Sequence, residues 1–245
     1  MKTDHIPFPM PNRGWALNQN WINLTFMHWA ADRELLSKYI PKDIELEEFQ
    51  GKTYIGTIPF RMEKVRPRFL PWIPLISNFP EFNIRTYVSK NGIPGVLFLT
   101  LDAQSRITSS YAPWAYGLPY IYSKGYVHES ENNGFDWYSK RVSNGIELKG
   151  KSKAKGPLQK ARKGSLEEFL FERYSLYVTY KEKTHMAYTC HEPWEFQEAE
   201  AEIEINTLTE YYDLGIENYL KPDLVHVSKG VKVRTWSIEE ISDLK

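Results

Sequence analysis

The chain has 245 residues, with 31 Lys+Arg balanced by 31 Asp+Glu and one cysteine. That length suits a single domain over residues 1–245, in which about 70–75% of the unfolded surface can be buried without staples. Neutral charge removes the strong positive field expected of a nucleic-acid binder, and lone Cys190 excludes an internal disulfide.

The opening MKTDHIPFPM has no apolar h-region, and no stretch approaches the roughly 18 apolar residues of a membrane span. A cytoplasmic protein without a membrane partner is therefore expected. Aromatic residues are dense, with 8 Trp, 16 Tyr and 12 Phe. They suit the pleated surfaces of a β-rich core, or an aromatic-lined cavity.

In chain order, residues 22–26 read as a strand. Asp32 then caps a short helix that carries Leu35, Leu36 and Tyr39 on one face and stops at Pro41. Residues 51–60 read as a second strand. Residues 69–79 (FLPWIPLISNF) are apolar, but Pro71 and Pro74 forbid a regular helix, so buried irregular chain is expected there ahead of a lid or an interface patch. Residues 82–88 alternate, Asn91-Gly92 supplies a turn, and residues 96–101 form an apolar run. Together they predict a hairpin with its second strand buried on both faces.

A short helix is expected over residues 108–116, with Pro113 near its first turn, and strands over 120–128, 135–142, 169–180 and 186–191. Ser165 and Glu168 have capping-box spacing, but the aromatic run behind them favours strand. From Lys149 to Lys163 there are seven basic residues and no acidic one; from Glu198 to Ile205 glutamates alternate with Ala and Ile. Both patterns read as solvated faces at strand period. Residues 206–214 predict a short helix ended by Gly215, and residues 224–236 a last strand. Without regular βα alternation, the pattern favours a mostly-β barrel over a doubly wound sheet.

Chemistry is sparsely signposted. P-loop, GxGxxG, HExxH and CxxC motifs are missing, and no cofactor or metal is expected. Cys190 and His191 are strand neighbours that point to opposite faces, which argues against a dyad. The informative polar set is in PEFNIRTYV, where alternation puts Glu81, Asn83, Arg85 and Tyr87 on one face. Periodicity fits a solvated outer face; it also fits a lumen in which Arg and Glu hold a small carboxylate. The pattern does not choose.

The strings EFNIRTYV, GIPGVLFLTLDA and AYGLPYIYSKG occur in that order, with SLEEFLFERYSLY, HEPW and VHVSKGVKVRTW after them. This series resembles the YqjF-like family of the acetoacetate decarboxylase superfamily, across nearly the whole chain from Trp15 to Trp236. The resemblance implies a closed, antiparallel β-barrel with a few short flanking helices and a central pocket. It places Glu81 near the superfamily's pocket glutamate and adds Arg85 and Tyr87 from the YqjF-like pattern. In the decarboxylases a tyrosine-proline pair precedes two lysines, one forming a Schiff base and the next lowering its pKa. The matching stretch is Leu118-Pro119-Tyr120-Ile121, so Tyr120 stands where that lysine would be, and Lys124 lies outside the motif. Pro113 replaces an arginine usual in the pattern.

The implied ligand-binding set is Glu81, Arg85, Tyr87, Tyr116 and Tyr120. Its expected partner is a small carbonyl or carboxylate compound, and self-association into a homo-oligomer stays open. Two functions fit this set: a ligand-binding barrel, or an enzyme working by non-covalent acid–base chemistry but not as a Schiff-base decarboxylase. A third reading, an interaction protein, would use residues 69–79.

Overall fold

The computed structural model describes residues 1–110, 117–130, 133–181 and 183–241, apart from the Leu75 side chain. Among them thirteen strands join one sheet. They are β1 (Leu17–Ala31), β2 (Glu45–Leu46), β3 (Thr53–Pro67), β4 (Phe79–Lys90), β5 (Ile93–Ala103), β6 (Tyr120–Ser130) and β7 (Gly134–Arg141). The remainder are β8 (Glu147–Lys160), β9 (Ser175–Tyr180), β10 (Lys183–Cys190), β11 (Glu195–Asn206), β12 (Leu224–Thr235) and β13 (Glu239–Glu240). Short helices α1 (Arg33–Ser37), α2 (Pro74–Ser77), α3 (Leu166–Phe171) and α4 (Thr207–Glu210) punctuate them.

The sheet runs β13-β10-β9-β5-β6-β7-β8-β11-β12-β1-β3-β4-β2, and further pairings join β10 to β12 and β5 to β4. Most neighbours are antiparallel, but β5 pairs in parallel with both β6 and β9. The sheet is thus mostly antiparallel. The parallel pairings arise because β5 is flanked by strands reached through long connections instead of hairpins.

The wall β12-β1-β3-β4-β5 has a core on each side. Phe82 and Ile84 of β4 pack with Met27, Trp29, Trp137 and Leu148. On the other face, Tyr87 packs with Phe26, Phe60, Phe171 and Trp194. Val96, Leu97, Thr100 and Leu101 are buried, so β5 is covered on both faces along most of residues 96–101, and every residue of β4 from Glu81 to Val88 is buried as well. At the hairpin tip Asn91 (φ 52°) and Gly92 (φ 76°) adopt the left-handed conformation that two-residue loops require.

Two local expectations are corrected. Residues 169–180 are not one strand: α3 occupies 166–171, the Ser165 hydroxyl accepts from Glu168 N (3.2 Å), and Leu170 and Phe171 are buried. The cap and the buried apolar pair outweigh the β-propensity of the aromatic run. Residues 69–79 are not buried chain: Phe69 is 85% exposed, Leu70 58% and Ile73 53%, with only the four-residue α2 formed. Its prolines remove backbone donors, so the segment cannot join the sheet beside it. Residues 106–110 are helical; the rest of the expected 108–116 helix, with Pro113, lies outside the described residues.

Candidate functional site

The polar face of β4 points inward. Glu81 (β4) is buried, as are Asn83 and Arg85, and all three line a small cavity of ≈ 40 Å³ with Arg173, His191 and Trp194. That is room for roughly three waters. The solvated-face alternative therefore fails.

At the Glu81 end, Tyr120, the first residue of β6, does not itself line the cavity but donates its hydroxyl to Glu81 Oε2 at 2.8 Å. Burial pushes the Glu81 carboxyl up to about 7, although hydrogen bonds from Tyr120 and Asn83 pull it down. Burial, and then the Glu81 charge, hold the Tyr120 phenol well above its ordinary range. The phenol therefore stays a donor at neutral pH, aimed at a carboxyl that takes and gives a proton there.

At the other end stand two guanidiniums. Arg85 Nη2 donates to the Leu170 carbonyl (3.1 Å), and Arg173 Nε to the Phe169 carbonyl (2.6 Å). These are carbonyls of the last turn of α3, which a short helix leaves unsatisfied. Arg173 also pairs with Glu47, whereas Arg85 has no carboxylate partner among the described residues and its buried Nε is unpaired. The guanidinium packs near the rings of Phe26 and Tyr87, at 5.7 and 5.8 Å from their centroids. A buried cation with a free N–H at a cavity wall is a ready anion contact.

Tyr87 is fully buried behind Arg85, and its hydroxyl meets His28 Nε2 at 2.7 Å. A Cβ on Gly56 would lie 2.9 Å from His28 Nε2, so glycine there makes room for this ring. Burial, then Arg85, hold His28 well below its usual pKa, and burial lowers His191 to about 4. Both imidazoles are neutral near pH 7. Tyr87 thus supports the pocket from behind and does not line it; Tyr116 lies outside the described residues.

Lys124 is exposed on β6, and no lysine lines the cavity among the described residues. Those residues also contain no cluster of His, Cys, Asp or Glu able to hold a metal, and no helix long and apolar enough to cross a membrane.

Sequence reasoning missed Arg173, because nothing in FERY marks an arginine 88 residues after Arg85 as its neighbour. It also missed a buried pair: Arg141 donates to Asp102 from Nε (2.7 Å) and Nη2 (2.9 Å), with side chains 2% and 1% exposed. That pair ties β5 to β7, and Asp102 raises the Glu81 pKa slightly further.

Comparison with known proteins bears on the same features. The model of the DUF2071 family, described as an uncharacterized conserved protein, matches residues 18–232. Uncharacterized protein YqjF of Bacillus subtilis (strain 168) is 35% identical over 238 residues, covering 95% of this chain and 96% of that protein. Among solved structures, acetoacetate decarboxylase from Legionella pneumophila superposes with a TM-score of 0.65 at 14% identity, over 98% of this chain and 94% of the other. The enduracididine biosynthesis enzyme MppR, complexed with pyruvate, superposes with a TM-score of 0.63 at 10% identity, over 99% and 95%. At such identities these two likenesses concern the fold alone.

Proposed function

The chain belongs to the YqjF-like DUF2071 family and has an acetoacetate decarboxylase-like fold, and on that footing we propose that its cavity binds a small carboxylate or carbonyl compound without forming a covalent bond. The observation that carries this is Arg85, a buried guanidinium with an unpaired Nε and no carboxylate partner among the described residues, on the cavity wall that also bears Glu81. A ligand carboxylate meets Arg85, and the Glu81–Tyr120 pair holds the polar atom at its other end. The pyruvate bound to MppR supports this size and class of ligand.

In this reading the circuit β12-β1-β3-β4-β5-β9-β10, returning to β12, is a closed barrel around the cavity. With Tyr120 in the lysine's place, imine chemistry is lost. A phenol cannot form an imine with a ketone, and Ile121 stands where a cation would lower the pKa of a lysine.

Acid–base catalysis is the second reading, favoured by one observation. A carboxyl with a pKa of about 7 is suited to proton transfer at neutral pH, and Tyr120 beside it can donate to a developing oxyanion.

The test is to purify the full chain under native conditions and identify released metabolites by mass spectrometry, beside an Arg85→Met variant. A small organic acid retained by the wild type and lost from the variant is expected. Equal retention by both, or retention only of compounds without a carboxylate or carbonyl, would remove Arg85 from the reading.

A further inference from the structure

The connection between β3 and β4 exposes its apolar tip. The last β3–β4 partners are Met62 and Phe79, yet β3 runs on to Pro67, where its strand pairing is with β1 alone and Lys64 N donates to Asn78 Oδ1 (2.8 Å). At the tip of this projection Phe69, Leu70, Trp72, Ile73 and Ile76 are all exposed. Prolines at 67, 71 and 74 stiffen it, so little conformational freedom is lost when the tip is ordered by a partner.

Cations stand against these apolar groups. Arg68 stacks on Phe69 at 4.8 Å from the ring centroid and Lys64 on Trp72 at 6.0 Å. Arg68 and Arg234 both lie over the Trp15 ring, at 3.9 and 4.0 Å. Among the described residues Lys64, Arg66, Arg68 and Arg234 form no ion pair. On a chain with no net charge this is a local positive rim around an apolar tip.

That combination selects the occupant. In a two-fold pair of copies, Lys64, Arg66 and Arg68 would face their own counterparts, and like charges would oppose the contact. A loop tip is also far smaller than the roughly 800 Å² per partner of a stable protein interface. Aromatic and aliphatic side chains ringed by Lys and Arg match the boundary of an anionic bilayer, where rings and aliphatic groups enter the acyl edge and cations meet headgroups. We propose that residues 64–76 dock the protein onto an anionic lipid surface, as a peripheral contact without a membrane span. The expectation of no membrane partner rested on the absence of an apolar h-region and of a long apolar run, neither of which a peripheral contact needs.

The test is co-sedimentation of the full chain with vesicles of equal parts phosphatidylglycerol and phosphatidylcholine, against phosphatidylcholine alone. Binding to the anionic vesicles that weakens with salt is expected. Phe69→Ser with Ile73→Ser, and separately Lys64→Glu with Arg66→Glu, should each lower vesicle affinity at least tenfold while the thermal midpoint holds, since these side chains lie at the surface. Three results would overturn the proposal: no preference for anionic vesicles, binding that survives both double substitutions, or a concentration-dependent dimer abolished by the Phe69/Ile73 change.

Discussion

At the scale of single residues, the pocket combines groups that burial pushes in opposite directions. Glu81 is driven toward its neutral acid, and His28 and His191 toward their neutral bases. For Glu81 the folded pKa, about 7, exceeds its ordinary value of 4.5. The native state therefore holds the proton more tightly, and stability falls as pH rises from 4.5 through 7. The full cost above that window is ~3 kcal/mol. The histidines have the reverse sign, their stabilisation being lost as pH falls below 6.5. Glu81→Gln removes only the first contribution and keeps an acceptor for Tyr120. By urea denaturation the variant should therefore be more stable than wild type by up to ~3 kcal/mol at about pH 8, and nearly equal to it at about pH 4. An equal difference at both values would show that Glu81 is not buried as an acid.

At the scale of elements, the site depends on α3, because its carbonyls fix Arg85 and Arg173. The Ser165 cap starts this helix, and Glu168 reaches back to Gly164 N. Ser165→Ala should cost ~1 kcal/mol and lower the melting midpoint by roughly 2–4 °C in a chain of this size. A thermal scan that shows no change would mean the helix is set by its packing alone. A bulge beside Arg85 also shapes the wall: Ile84 faces Thr100 but Arg85 faces Phe98, which leaves Leu99 as the extra residue on β5. The charged elements need no special role. Lys149, Lys151, Lys155 and Lys160 of β8 are paired with Glu204, Glu202, Glu200 and Glu195 of β11 across one exposed face. Each such exposed pair contributes little.

At the scale of the whole molecule, alternation and turn chemistry made the strands legible, because period two and Asn-Gly are local signals. Most of β4, β6, β7 and β12 could be placed this way, and residues 22–26 of β1. Extent was less legible: β1 runs over fifteen residues, longer than its apolar stretch, because both its neighbours continue to pair with it. The two-sided burial of β4 could not be read locally, since polar residues at period two look the same facing water or a cavity. For Glu81, Arg85 and Tyr120 the family resemblance supplied what periodicity left open. Arg173, His28 and the Arg141–Asp102 pair carried no signal, being assembled by contacts between distant strands. Residues 69–79 misled because apolar composition predicts burial only where backbone donors can also be satisfied.

The proposed ligand is an anion held in the cavity between Arg85 and Glu81. An anion placed there disfavours the Glu81 carboxylate, so binding near neutral pH must draw in a proton. Calorimetric titration with pyruvate at about pH 7, in two buffers of different ionisation enthalpy, measures that uptake directly. Uptake of up to roughly half a proton per ligand is expected, absent in Glu81→Gln, with binding lost in Arg85→Met. Pyruvate binding without proton uptake, or unchanged by Arg85→Met, would contradict it.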